Sequence, residues 1–102
     1  MKITHHVNSW FQIDFDNSTK TLWTDPWNSG ANINGIFPLY KVETHDLKKP
    51  DFVYISHIHD DHHDKDIINT IGENTHYIIK NFKDNLLQKI LLSYGISNEN
   101  LI

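Results

Sequence analysis

The 102-residue sequence has no cysteine, no arginine and no long apolar run. Without cysteine there is no disulfide framework and no thiolate metal site. Nine lysines carry all the side-chain positive charge, they form no cluster, and the net charge is −4. That balance leaves no electrostatic footprint for a phosphate backbone or an anionic membrane surface. The opening MKITHHVNSW lacks the basic-then-apolar order of a signal peptide. These absences predict a cytoplasmic protein with no nucleic-acid and no membrane partner.

What is present reads as a folded chain. Hydrophobic residues make up 38 %, enough for a globular protein, and the length allows one domain or a piece of one. The last residues, ISNENLI, stop on an apolar pair with no polar tail, so residues 1–102 are expected to be a partial domain, cut short at the C-terminus. A partial domain would expose apolar surface that the rest would cover, which predicts self-association.

Periodicity places the elements. Lys2 to His6 is β-compatible, and Ser9 to Phe15 alternates with period two, as a half-buried strand does. Lys20 to Thr24 pairs with it as a hairpin and closes at Asp25-Pro26-Trp27. Asn28 to Pro38 is an Asn- and Gly-rich loop, and Leu39 to Val42 a short strand. Phe52 to Ser56 is a near-continuous β-prone run of the kind buried on both faces. Lys65 to Ile71 is a helix with Asp64 as N-cap and Gly72 as C-cap, and His76 to Lys80 a strand. Asp84 to Tyr94 is the clearest helix: Leu86, Leu87, Ile90, Leu91 and Tyr94 share a face, and Asp84 caps it. This order predicts a layered α/β or α+β fold.

Eight histidines occur, and four of them lie between positions 57 and 63. Residues 56 to 64 read S-H-I-H-D-D-H-H-D. His57 and His59 stand two apart at a strand end, so both imidazoles project to one side. Neutral imidazole is the commonest protein ligand for first-row metal ions. Asp61 and His62 follow in the turn and add a carboxylate and a third imidazole, a set that suits two adjacent ions. Open positions on such ions lower the pKa of water from about 15.7 toward 7. The expected chemistry is therefore hydrolysis by a metal-bound hydroxide.

The run HIHDDH, behind an apolar strand, resembles the H-x-H-x-D-H signature of the metallo-β-lactamase fold. TLWTDPW is similar to that family's strand ending in aspartate. TDPWNSGANINGIFPLY and the added His63-Asp64 resemble the subgroup of L-ascorbate-6-phosphate lactonase and the metallo-β-lactamase-like part of CMP-N-acetylneuraminate hydroxylase. The likeness spans roughly Lys2 to Ile102. It implies the N-terminal half of a four-layer αββα sandwich. It also implies His57 and His59 on one ion, Asp61 and His62 on a second, Asp61 as the catalytic residue, and Asp25 as an orienting neighbour. Two divalent ions are implied, with zinc first and manganese or iron open, acting on a small ester, lactone or sugar-phosphate-like molecule. The family takes its remaining ligands from later loops, and His76, the only later histidine, opens a strand and matches none of them. A non-catalytic fragment or binding module with an incomplete metal site is thus the alternative to a hydrolase, and a metal-binding His loop on an unrelated small domain is a third.

Other residues carry weaker expectations. His5 or His6 could approach the cleft from the end of the first strand. His63 is expected to cap the following helix or face solvent, and Asp60 to face water. Trp10, Trp23 and Trp27 are assigned to the core, with Trp27 also a candidate for a pocket rim.

Overall fold

Alternating side chains make three strands of the first 24 residues: β1 (Lys2–Val7), β2 (Trp10–Asp14) and β3 (Thr21–Thr24). The computed structural model describes residues 1–28, 42–44, 47–59 and 62–102. Asn8, with φ 49°, makes the tight turn between β1 and β2, and Asn17, with φ 57°, the turn before β3. Asparagine tolerates the left-handed region because its short amide bonds locally. The chain continues through β4 (Phe52–Ile55), α1 (Lys65–Ile71), β5 (His76–Ile79) and α2 (Leu86–Ser93). The expected strand over Leu39 to Val42 and loop over Asn28 to Pro38 lie outside the described residues, apart from their ends. Those ends are joined: the Asn28 side chain accepts from the Val42 amide at 2.7 Å and donates to the Val42 carbonyl.

The five strands lie in sequence order in one mixed sheet. β1, β2 and β3 run antiparallel, and β3, β4 and β5 run parallel. This is a mixed α/β domain, as the element order predicts. β1, β3, β4 and β5 therefore all point their carboxyl ends to one edge of the sheet. That edge is where α/β sheets place ligand sites, because successive loops meet there.

One face of the sheet is covered. Trp10, Trp23, Val53, Ile55 and Tyr77 are at most 1 % exposed and share a core with Ile67, Ile68 and Ile71 of α1 and Leu87 and Leu91 of α2. Each fully buried aliphatic side chain there contributes about 1.5–3 kcal/mol. Trp27 is fully buried as well, so it belongs to the core and not to a pocket rim. A register shift between His5 and Val7 inserts an extra residue into β1 and lets both His6 and Val7 turn inward.

The opposite face carries Ile3, Phe11, Ile13, Leu22, Phe52, Tyr54 and Ile78, placed side by side by the register. Among the described residues no helix lies over it: Ile3 is 58 % exposed, and Phe11 and Tyr54 are each 38 % exposed. This corrects the expectation that β4 is buried on both faces, since only its Val53–Ile55 side is.

Both helices form where expected, with one change at a cap. Asp64 caps α1, its carboxylate accepting from the amides of Asp66 and Ile67, and Gly72 ends it with φ 85°. In α2 the N-cap position is Asn85, in a left-handed conformation with no side-chain cap bond. Asp84 instead accepts from the Leu86 amide at 3.1 Å. Leu86 is 40 % exposed and stands off the core-facing stripe. After α2 a short 3-10 turn leads to Leu101, which begins a parallel bridge with Tyr77 on β5. Among the described residues no helix is long and apolar enough to cross a membrane.

Candidate metal centre

Parallel pairing of β3 and β4 sets Asp25 beside the start of the histidine turn. The Asp25 amide extends the ladder by donating to the Tyr54 carbonyl at 2.8 Å. Asp25 then turns through φ 42°, a left-handed conformation costing on the order of 1 kcal/mol. That bend aims its buried carboxylate across the strand ends. One oxygen accepts from the Ser56 amide at 2.7 Å. The other lies 2.8 Å from the Ser56 hydroxyl and 3.0 Å from Nδ1 of His62.

A carboxylate can only accept, so its neighbours must donate. The Ser56 hydroxyl spends its proton on Asp25 and so accepts from Nδ1 of His57, 2.8 Å away. His62 likewise presents its Nδ1 proton to Asp25. Both imidazoles are thereby assigned the tautomer with the lone pair on Nε2. Second partners of this kind fix the tautomer and orientation of ligand histidines in metal sites.

The three motif imidazoles gather at this edge. Nε2 of His57 stands 3.1 Å from Nδ1 of His59, and the His57 ring centre lies 4.6 Å from that of His59 and 3.9 Å from that of His62. The His62 amide donates to the His59 carbonyl at 3.0 Å and closes the turn. Two nitrogens bound to one tetrahedral ion at about 2.0–2.1 Å would lie roughly 3.3 Å apart. The His57–His59 spacing fits that pair of bonds, and it equally fits a direct imidazole–imidazole hydrogen bond. Asp60 and Asp61 lie outside the described residues. Among the described residues no group of three or more His, Asp or Glu side chains is gathered closely enough to hold a metal ion. The pair fits an ion, and His62 is turned toward Asp25.

His63 is neither a cap nor a solvent-facing residue. It is 5 % exposed, with Nε2 3.1 Å from the Ile58 carbonyl and Nδ1 2.9 Å from the Tyr94 hydroxyl. With both ring nitrogens engaged by protein atoms, it is not a ligand. His5 is exposed and bonds the Asn8 carbonyl. His6 is buried, bonds Gln12 at 3.0 Å and lies against Trp10. β1 stands three strand spacings from β4, about 14 Å, which keeps both backbones away from the turn. His76 is exposed at the opposite end of the sheet, near Phe52.

Sequence reasoning missed Ser56, whose only signal is a small hydroxyl beside His57. It also missed that Asp64 accepts from the Asn28 amide at 3.1 Å besides capping α1. A cavity of about 670 Å³ lies between α1, β5 and the segment after α2, lined by Asn69, Glu73, Tyr77 and Glu99 among others. None of the motif histidines lines it.

No protein-family model matches the chain, and no curated protein matches it.

Proposed function

We propose that the turn from Ser56 to His62 is a divalent-metal site, and that the chain is the front half of a metal-dependent hydrolase resembling the metallo-β-lactamase fold. His57 and His59 would hold one ion, and Asp61 and His62 a second. The observation that carries this reading is the Asp25–Ser56–His57 relay with its branch to His62. It leaves Nε2 as the lone-pair nitrogen on two imidazoles whose ring centres are 3.9 Å apart. A solvated histidine loop has no need of a buried carboxylate dedicated to two of its rings.

A bound divalent ion would supply Lewis acidity and a water deprotonated near neutral pH. The chain itself supplies the orientation. Asp25 holds the His57 and His62 protons away from Nε2, and zinc, manganese and iron all suit such nitrogen and oxygen donors. A small ester, lactone or sugar-phosphate-like substrate rests on the sequence resemblance alone, as does the αββα completion of the fold.

A second reading has its own support. The 3.1 Å between His57 Nε2 and His59 Nδ1 is also that of a direct imidazole–imidazole hydrogen bond, which fits a non-catalytic fragment or binding module with an incomplete metal site. Metal content of the purified protein by mass spectrometry, beside His59→Ala, tests both readings. Two ions per chain, lost in the variant, support the hydrolase architecture. One ion supports the incomplete site. No metal uptake, or equal uptake by His59→Ala, removes the metal reading.

A further inference from the structure

His63 lies directly after the motif, yet its geometry commits it to another task. A carbonyl oxygen can only accept, so Nε2 of His63 must carry the proton that reaches the Ile58 oxygen at 3.1 Å. Nδ1 is then the lone-pair nitrogen and accepts from the Tyr94 hydroxyl at 2.9 Å. Ile58 is the residue between His57 and His59. Holding its carbonyl inward leaves its side chain outward, 37 % exposed, and fixes the peptide plane from which His59 departs. Tyr94 is the C-cap residue of α2, a helix anchored by Leu87 and Leu91, which are 1 % and 0 % exposed.

We propose that Tyr94 and His63 form a positioning clamp, which transmits the fixed end of α2 to the Ile58 carbonyl and so sets the facing of the His57 and His59 imidazoles. Its effect on metal affinity rests on the metal-site reading. Its effect on the turn does not.

The test uses His63→Gln, His63→Leu and Tyr94→Phe, each with two readouts. The first, on metal-free protein, is hydrogen exchange of the His62 amide, whose bond to the His59 carbonyl closes the turn, against the Val53 amide as a core reference. The second is zinc affinity, with the absorption spectrum of the cobalt(II) form as a report on coordination geometry. Glutamine can still donate to the Ile58 carbonyl, whereas leucine fills the volume without a donor. His63→Leu is expected to speed His62 exchange and weaken zinc binding, each by about tenfold, the scale of one lost hydrogen bond. His63→Gln is expected to restore both and the parent cobalt spectrum, and Tyr94→Phe to fall between. Unchanged His62 exchange in His63→Leu, or glutamine behaving no better than leucine, overturns the clamp. If His63→Leu does not fold, Tyr94→Phe decides: parent-like exchange there overturns the link to α2, and faster exchange supports it. A parent protein that takes up no metal overturns the proposed function, while the exchange measurements still decide the clamp.

Discussion

Asp25→Asn should reverse the proton pattern of the turn while leaving its shape nearly intact. In the parent the Asp25 carboxylate accepts from the Ser56 amide, the Ser56 hydroxyl and His62 Nδ1. An isosteric amide keeps one acceptor for the Ser56 amide and puts a donor where the second oxygen was. The Ser56 hydroxyl must then accept from that amide and donate to His57 Nδ1. His62 Nδ1 must accept as well. Both imidazoles are driven to carry their proton on Nε2, the nitrogen proposed to face metal. Loss of a partner that orients a metal-binding histidine typically costs about 10- to 100-fold in affinity, and the wrong tautomer at intact geometry is known to cripple catalytic histidines. The stability cost should be smaller than for Asp25→Ala, which deletes three bonds worth about 1 kcal/mol each and strains a left-handed position. The assay is long-range proton–nitrogen correlation on histidine-labelled, metal-free protein, paired with competitive zinc titration. Tautomers of His57 and His62 that are the same in parent and variant would refute the relay, as would zinc affinity unchanged within about twofold.

Tyr77 is 1 % exposed, its hydroxyl has no hydrogen-bond partner among the described residues, and burial pushes its pKa up from 10.0 to about 12. Tyr77→Phe should therefore raise stability by about 1 kcal/mol at neutral pH. The folded state holds the phenol proton more tightly, so this group's contribution is full below pH 10 and fades as pH rises toward about 12. Denaturant midpoints should show that alkaline loss shrinking in the variant. At the other end, the Thr21 amide donates to Asp51 at 2.9 Å and lowers its carboxyl below the ordinary 3.8. Its contribution is present above that value and is lost as pH falls through the lowered pKa, so Asp51→Asn should flatten the acid limb of the same midpoint curve. On the open sheet face Ile13 pairs with Leu22 and Leu22 with Phe52, and sedimentation velocity should show concentration-dependent self-association that Ile13→Lys abolishes. Equal sedimentation of both proteins at every concentration would show the face to be unused.

Much of the fold is legible because the chain is locally consistent. The alternation in β2, the Asp64 cap and Gly72 stop of α1, and the apolar stripe of α2 each state a local rule that the structure obeys. The failures are tertiary. Phe52 to Ile55 is apolar at every position, and a run of that kind cannot say whether one or two of its faces will be covered. Trp27 is assigned to the core and packs there, and only its candidacy for a pocket rim fails. At the site, the pairing of His57 with His59 follows from their spacing. The turning of Asp25 does not, because it depends on a left-handed φ and on the register of two strands far apart in sequence. His63 shows the same limit. Its motif position suggests a cap or a solvent-facing residue, and only the arrival of Tyr94 from the end of α2 shows that both nitrogens are spoken for.

The register that builds the core also builds the site. Trp23 pairs with Val53 and Thr24 with Tyr54, so the next step brings Asp25 level with the end of β4, and its amide reaches the Tyr54 carbonyl. A one-residue slip of β3 would carry Trp23 from the covered face to the open one, exposing a large buried aromatic. The same slip would move the Asp25 carboxylate off Ser56 and His62. The hydrophobic cost of the wrong register therefore protects the polar geometry, although none of the polar groups contributes much to that cost. A left-handed aspartate costing on the order of 1 kcal/mol persists because the strands on either side of it are held by several times that amount of buried surface.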